Sequence, residues 1–113
     1  MIAKLSYIIE FVADMDRAIR FYRDVIGLPV KFQSPGWSEF ATGETTLALH
    51  PAPEKNPAGK FDMGLNVPGL QQFHAEMKSK GVQFPVAPAK QDFGGMLAQF
   101  VDSEGAHISV SGS

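Results

Sequence analysis

VADMDRAIRFYRDVIGLPV, residues 12–30, is the stretch whose reading decides the fold. It reads as the end of a strand, a capped amphipathic helix, a glycine stop and the start of a second strand. Asp14 is a good N-cap, because its carboxylate can accept from the free backbone N–H groups of the first turn. Met15, Ala18, Ile19, Tyr22, Val25 and Ile26 recur at steps of three and four, which places them on one core-facing side. Asp16, Arg17, Arg20, Arg23 and Asp24 fall mostly on the other side and form a solvated face. Gly27 can take the left-handed conformation that ends a helix, and Pro29 resists continuing one.

Outward from this stretch, residues 4–12 form a strand rich in β-branched and aromatic side chains. After the helix come a strand at 29–33, a turn at Ser34-Pro35-Gly36, a strand at 37–42, a turn at Gly43-Glu44 and a strand at 45–50. PAPEKNPAGK, residues 51–60, has three prolines and no apolar period, so it is a connection. A strand at 61–67 leads into a second amphipathic helix through Leu70, Phe73 and Met77, which ends near Lys80-Gly81. A strand at 82–86, a loop at 87–93 and a hairpin of 95–102 with 106–111 complete the chain. The element order strand, helix, strand, strand, strand therefore occurs twice. Residues 12–15 match 67–70 at a shift of 55, and Leu47 and Leu49 match Ile108 and Val110 at a shift of 61. The expected organisation is one domain over 1–113: a first module at about 1–50, a linker at about 51–60 and a second module at about 61–113.

Composition narrows the function. The chain of 113 residues is 44% hydrophobic with a formal net charge of −2, which gives no reason to expect nucleic acid or an anionic membrane as partner. It has no cysteine, which excludes disulfides and thiolate catalysis. No apolar run approaches the about 18 residues of a membrane span, and the first residues lack a leader pattern because Glu10 and Asp14 interrupt them. A cytoplasmic protein is expected.

V-x-D-M-x-R-A-x-x-F-Y-R-D-V-I-G-L, followed by W-x-E-F, T-T-L-A-L-H and a late F-V-D-S-E-G-A-H-I-S-V, resembles the vicinal oxygen chelate superfamily, which includes glyoxalase I, bleomycin-resistance proteins and extradiol dioxygenases. The resemblance implies an α+β fold of two βαβββ modules forming an open, curled mixed sheet, a cup with the helices outside and the ligand inside. It also implies a homodimer. In metal-dependent relatives, strand positions facing the cup carry His, Gln or Glu as ligands to a metal that polarises substrate oxygens. Counting from Asp14 and from the module shifts, those positions fall here on Tyr7, Ala48, Asp62 and Ser109. That set departs from the pattern, because alanine offers no ligand and serine and neutral tyrosine are weak ones. The chain looks more like the bleomycin-resistance branch, which binds without a metal.

The leading expectation is thus a small-molecule-binding protein without a cofactor, holding an aromatic or amphipathic ligand. Tyr7, Phe11, Trp37, Glu39, His50, Asp62, Met96, His107 and Ser109 are the candidate ligand-binding residues, with Phe93 a further aromatic candidate beside a Gly94-Gly95 flap. The alternative is a metal-dependent lyase, isomerase or dioxygenase with a shifted divalent-metal site. In that reading His50 and His107, each two residues from a usual ligand position, join Asp62. Glu10 shares parity with Ile8 and Val12, under the helix. It is a candidate base, or else an ion-pair partner of Arg17 or Arg20. His74, on the second helix, is expected to be exposed.

Overall fold

A computed structural model describes residues 3–54, 57–92 and 94–113. The expected Phe93 candidate lies outside the described residues. The elements are β1 (Lys4–Val12), α1 (Met15–Arg20), a π-helical segment (Phe21–Ile26), β2 (Val30–Phe32), β3 (Ser38–Phe40), β4 (Thr46–Pro51), β5 (Phe61–Val67), α2 (Leu70–Ser79), β6 (Val86–Lys90), β7 (Met96–Val101) and β8 (His107–Gly112). The chain is therefore α+β, with strand, helix and three strands occurring twice. Residues 6–62 form one compact unit, and residues 63–113 with Lys4 and Leu5 form the other.

In the first unit the strand order is β2-β3-β4-β1; β1 and β4 run parallel and the other pairs antiparallel. Asp14 caps α1 as read from the sequence, its Oδ1 accepting from the Arg17 N–H at 3.0 Å. Val12, Ile19, Phe40 and Leu49 make the core, joined by Met15, Ala18, Tyr22, Leu28, Val30 and Leu47. Alternation along β1 and β4 then turns Tyr7, Ile9, Phe11, Thr46, Ala48 and His50 to the opposite face of the sheet.

The helix departs from its expected period. At Phe21 the α-helix gives way to a π-helix, whose wider turn takes more residues than the 3.6 of an α-helix. Val25 and Ile26, expected on the core face, rotate out and are 71% and 54% exposed. Gly27, at φ 91°, ends the segment, and its N–H and that of Leu28 both donate to the Tyr22 carbonyl.

The second unit repeats the plan in the order β5-β8-β7-β6, with β5 and β8 parallel. Its core is Val67, Leu70, Phe73, Ala98 and Val110, with Leu65, Met77, Phe84, Met96 and Phe100 packed on it. The expected strand at 82–86 and loop at 87–93 are corrected: the strand begins at Val86 and runs to Lys90. It is an edge strand, interrupted between Val86 and Ala89, where Pro88 costs no ladder bond toward a missing neighbour. Its side chains are mostly exposed, so no apolar alternation marks it. The hairpin of β7 and β8 turns where expected. Asp102 Oδ1 accepts from the N–H groups of Glu104 and Ala106, both at 2.9 Å, and Gly105 sits at φ 85°.

The registers of the two units coincide. Ile9 lies opposite Ala48 in the first and Gly64 opposite Ser109 in the second, which reproduces the shifts of 55 and 61 read from the sequence.

Candidate functional site: an aromatic face on the first module

Four rings lie in sequence across the face of the first sheet that turns away from α1. Tyr7 and Trp37 meet with centroids 5.7 Å apart, Trp37 and His50 at 6.3 Å, and His50 and Phe11 at 5.6 Å. All three contacts are edge-to-face, at interplanar angles of 69–79°. Such tilted pairs set the positive edge of one ring on the negative face of the next.

The backbone explains the grouping. Phe11 and His50 are register partners across β1 and β4. Trp37 stands just before β3 rather than within it, and shares parity with Glu39. Glu39 lies opposite Ala48, a residue with no side chain long enough to cover its neighbours. The turn before Trp37 is tied by Ser34, whose hydroxyl donates to the Trp37 carbonyl at 2.6 Å and accepts from its N–H at 3.0 Å. Phe11 is buried; Tyr7, Trp37 and His50 are half-buried, so part of each of these three rings is exposed.

Polar groups orient this face. The Trp37 indole N–H donates to Glu39 Oε2 at 2.7 Å, and Lys31 Nζ stands 3.8 Å from Glu39 Oε1. Burial, and secondarily the Glu39 charge, hold the Tyr7 phenol above its ordinary pKa, so it stays a neutral donor. His50 Nδ1 lies 2.7 Å from the Pro51 carbonyl, which can only accept, so Nδ1 carries a proton and donates there.

The other candidates are placed differently. Met96, expected in the ligand-binding lining, instead packs against the α2 core of the second unit. His107 is exposed and its Nδ1 lies 3.0 Å from Gln99 Oε1. Ser109 and Asp62 are half-buried, and Ser109 lies opposite Gly64. Among the described residues no three His, Asp or Glu side chains gather as a metal-binding group; of the alternative metal set, His50 and Asp62 belong to the first unit and His107 to the second. The usual ligand positions do not fit a metal either, since Ala48 has no donor and is fully buried.

Glu10 faces α1, as its parity required, but neither Arg17 nor Arg20 pairs with it. It accepts a short hydrogen bond from the Tyr22 hydroxyl. This assigns it to the helix–sheet contact, away from the aromatic face. His74 is half-buried, with its ring 4.6 Å from that of Phe84, and is not the solvent-facing residue expected. Sequence reading missed Lys31: an exposed lysine on a three-residue strand carries no signal until Glu39 is seen beside it.

Residues 4–110 match the model of the Glyoxalase/Bleomycin resistance protein/Dioxygenase superfamily. The chain belongs to this superfamily. A bleomycin resistance protein from Klebsiella pneumoniae is 31% identical over 105 residues, covering 86% of this chain and 82% of that one. Solved structures of the superfamily's fold align closely. A hypothetical protein from Bacillus halodurans gives a TM-score of 0.81 at 20% identity, over 100% of this chain and 96% of that one. A methylmalonyl-CoA epimerase from Streptomyces coelicolor, solved with 2-nitronate-propionyl-CoA, gives 0.77 at 18% identity, over 97% and 94%. At such identities the alignments establish the glyoxalase-type fold of this superfamily member, while its chemistry rests on its own side chains.

Proposed function

We propose that this chain is a metal-independent small-molecule-binding protein that holds a planar aromatic or amphipathic ligand against the aromatic face of its first module, as a cytoplasmic homodimer. The observation that carries the reading is the run Tyr7, Trp37, His50, Phe11: three half-buried rings and the buried Phe11, with hydrogen-bonding groups at their edge. Ligand sites combine apolar and aromatic lining with a few placed polar groups, and this face has both. The relative that is a bleomycin resistance protein supports binding over turnover. So does the donor set at the usual metal positions, where Ala48 contributes nothing.

The action is sequestration, and no bond is made or broken. A planar ligand stacks on Trp37 and meets the edges of Tyr7 and His50, each good aromatic contact contributing about 0.5–1.5 kcal/mol beyond its buried area. The neutral Tyr7 hydroxyl offers a donor for its polar groups, and His50 Nε2 a second hydrogen-bonding atom. Trp37 is the sole tryptophan, so its emission reports directly on this face.

The test is titration of Trp37 fluorescence with bleomycin and a panel of planar aromatic compounds, with and without chelator. Saturable quenching that chelator leaves unchanged is expected, and Trp37→Ala should weaken binding of the best compound by about tenfold, judged by calorimetry. A flat response across the panel would overturn the reading. Sedimentation equilibrium checks the dimer: a monomer at all concentrations would remove that part alone.

A further inference from the structure

We infer that Glu39 selects a cationic ligand and that Lys31 is the internal cation which that ligand replaces. The inference rests on the aromatic face being a binding site and adds the charge of what binds there. The Glu39 side chain is only 15% exposed, an uncommon place for a carboxylate, and its two oxygens are used unequally. Oε2 takes the Trp37 indole N–H at 2.7 Å, a short charge-assisted bond that fixes the plane of the ring. Oε1 faces Lys31 Nζ at 3.8 Å, beyond the 2.7–2.9 Å of a direct ammonium–carboxylate hydrogen bond. The Lys31 side chain is 58% exposed, so it is tethered loosely and released to water at little cost.

Oε1 is thus a half-buried anionic acceptor with a weak, displaceable partner, at the edge of a ring system. An ammonium attached to a planar ligand meets two favourable features at once. It can approach Oε1 at ordinary hydrogen-bond distance, and it pairs in a medium of lower dielectric than water. A neutral ligand of the same shape gains only the stacking. Holding Trp37 and choosing charge are then two uses of one side chain, and Glu39→Gln separates them: the amide oxygen still accepts from the indole, but the negative charge is gone.

The experiment compares naphthylmethylamine with naphthylmethanol, which share a ring system and differ in charge, by calorimetry and Trp37 fluorescence. Wild type should favour the amine by about tenfold, and Glu39→Gln should remove that preference while leaving the alcohol within about twofold. Lys31→Met should tighten the amine severalfold and leave the alcohol unchanged. Equal loss of both probes in Glu39→Gln, or no effect of Lys31→Met on the amine, would overturn the charge selection and leave the binding reading standing. Failure of both probes to bind wild type would overturn the two together. In the ligand-free protein, the Trp37 indole N–H resonance should move in Glu39→Ala and hold in Glu39→Gln; no movement in Glu39→Ala would overturn the positioning role independently of any ligand.

Discussion

Tyr22 shows how much one side chain can carry. Its hydroxyl donates to Glu10, and burial first, then that hydrogen bond and the Glu10 charge, push its pKa up to about 12 from an ordinary 10.0. A phenol with a raised folded-state pKa stabilises the fold below the unfolded value and loses that contribution as pH rises through the folded value. Urea unfolding should therefore show stability falling between about pH 10 and pH 12, and Tyr22→Phe should flatten that slope. An unchanged slope in Tyr22→Phe would show that other groups carry it. The parity of Glu10 in β1 was enough to place it under α1, yet its partner was not legible. Arginines on the same helix are the natural guess, and nothing in the spacing distinguishes a tyrosine that already counts as core. The aromatic face was more readable. Tyr7, Phe11, Trp37 and His50 stand out by type and by alternation, and the structure brings the four into one run. Met96 shows the limit: its side of β7 follows from the register with β8, which apolar pattern alone leaves undetermined.

At the level of elements, the two helices begin differently. The α1 N-terminus has its Asp14 side-chain cap, whereas Gly69 before α2 has none, and the Leu70 N–H donates instead to the Ser113 carbonyl at 3.3 Å. Asp14→Ala should cost about 1 kcal/mol in chemical denaturation, because Ala leaves the Arg17 N–H without its acceptor. Gly112 allows the close approach at the start of α2: a Cβ there would lie 2.5 Å from the Val67 carbonyl oxygen and 3.1 Å from Leu70 Cβ. Gly112→Ala should therefore destabilise by about 1–3 kcal/mol, with the cost visible as a lower denaturation midpoint at unchanged slope. The sequence reading ended that strand at 111, since a glycine carries no apolar signal. The π-helical segment was missed for the opposite reason. Val25 and Ile26 continue an α-helical pattern perfectly well, and only the hydrogen bonding at Tyr22 shows that they leave it. Deleting one residue between Phe21 and Ile26 is expected to be tolerated, retaining the fold by circular dichroism, because the segment already holds more chain per turn than an α-helix needs.

For the whole molecule, the repeated order and the glycine-ended first helix were legible because they depend on period and punctuation, which a sequence displays directly. The chemistry was less so, because it depends on which oxygen of Glu39 meets which donor. Within the proposed function, addition and removal of divalent metal should leave the thermal midpoint of the purified protein unchanged; a rise of several degrees on loading zinc or manganese would revive the metal-dependent alternative. The shared register has a consequence for what each half is free to become. Phe11 and His50 are partners in the first unit, and the equivalent partners in the second are Asn66 and Ser111. The first pair meets ring to ring at 5.6 Å, and the second joins by a hydrogen bond at 2.9 Å from Asn66 Nδ2 to Ser111 Oγ. One molecule thus contains two solutions to a single structural slot, one greasy and one wet, and the ladder beneath them is the same. The slot is indifferent to its contents, so the two halves serve as each other's control, and exchanging the pairs between them would rewrite the surface chemistry without asking the backbone to change.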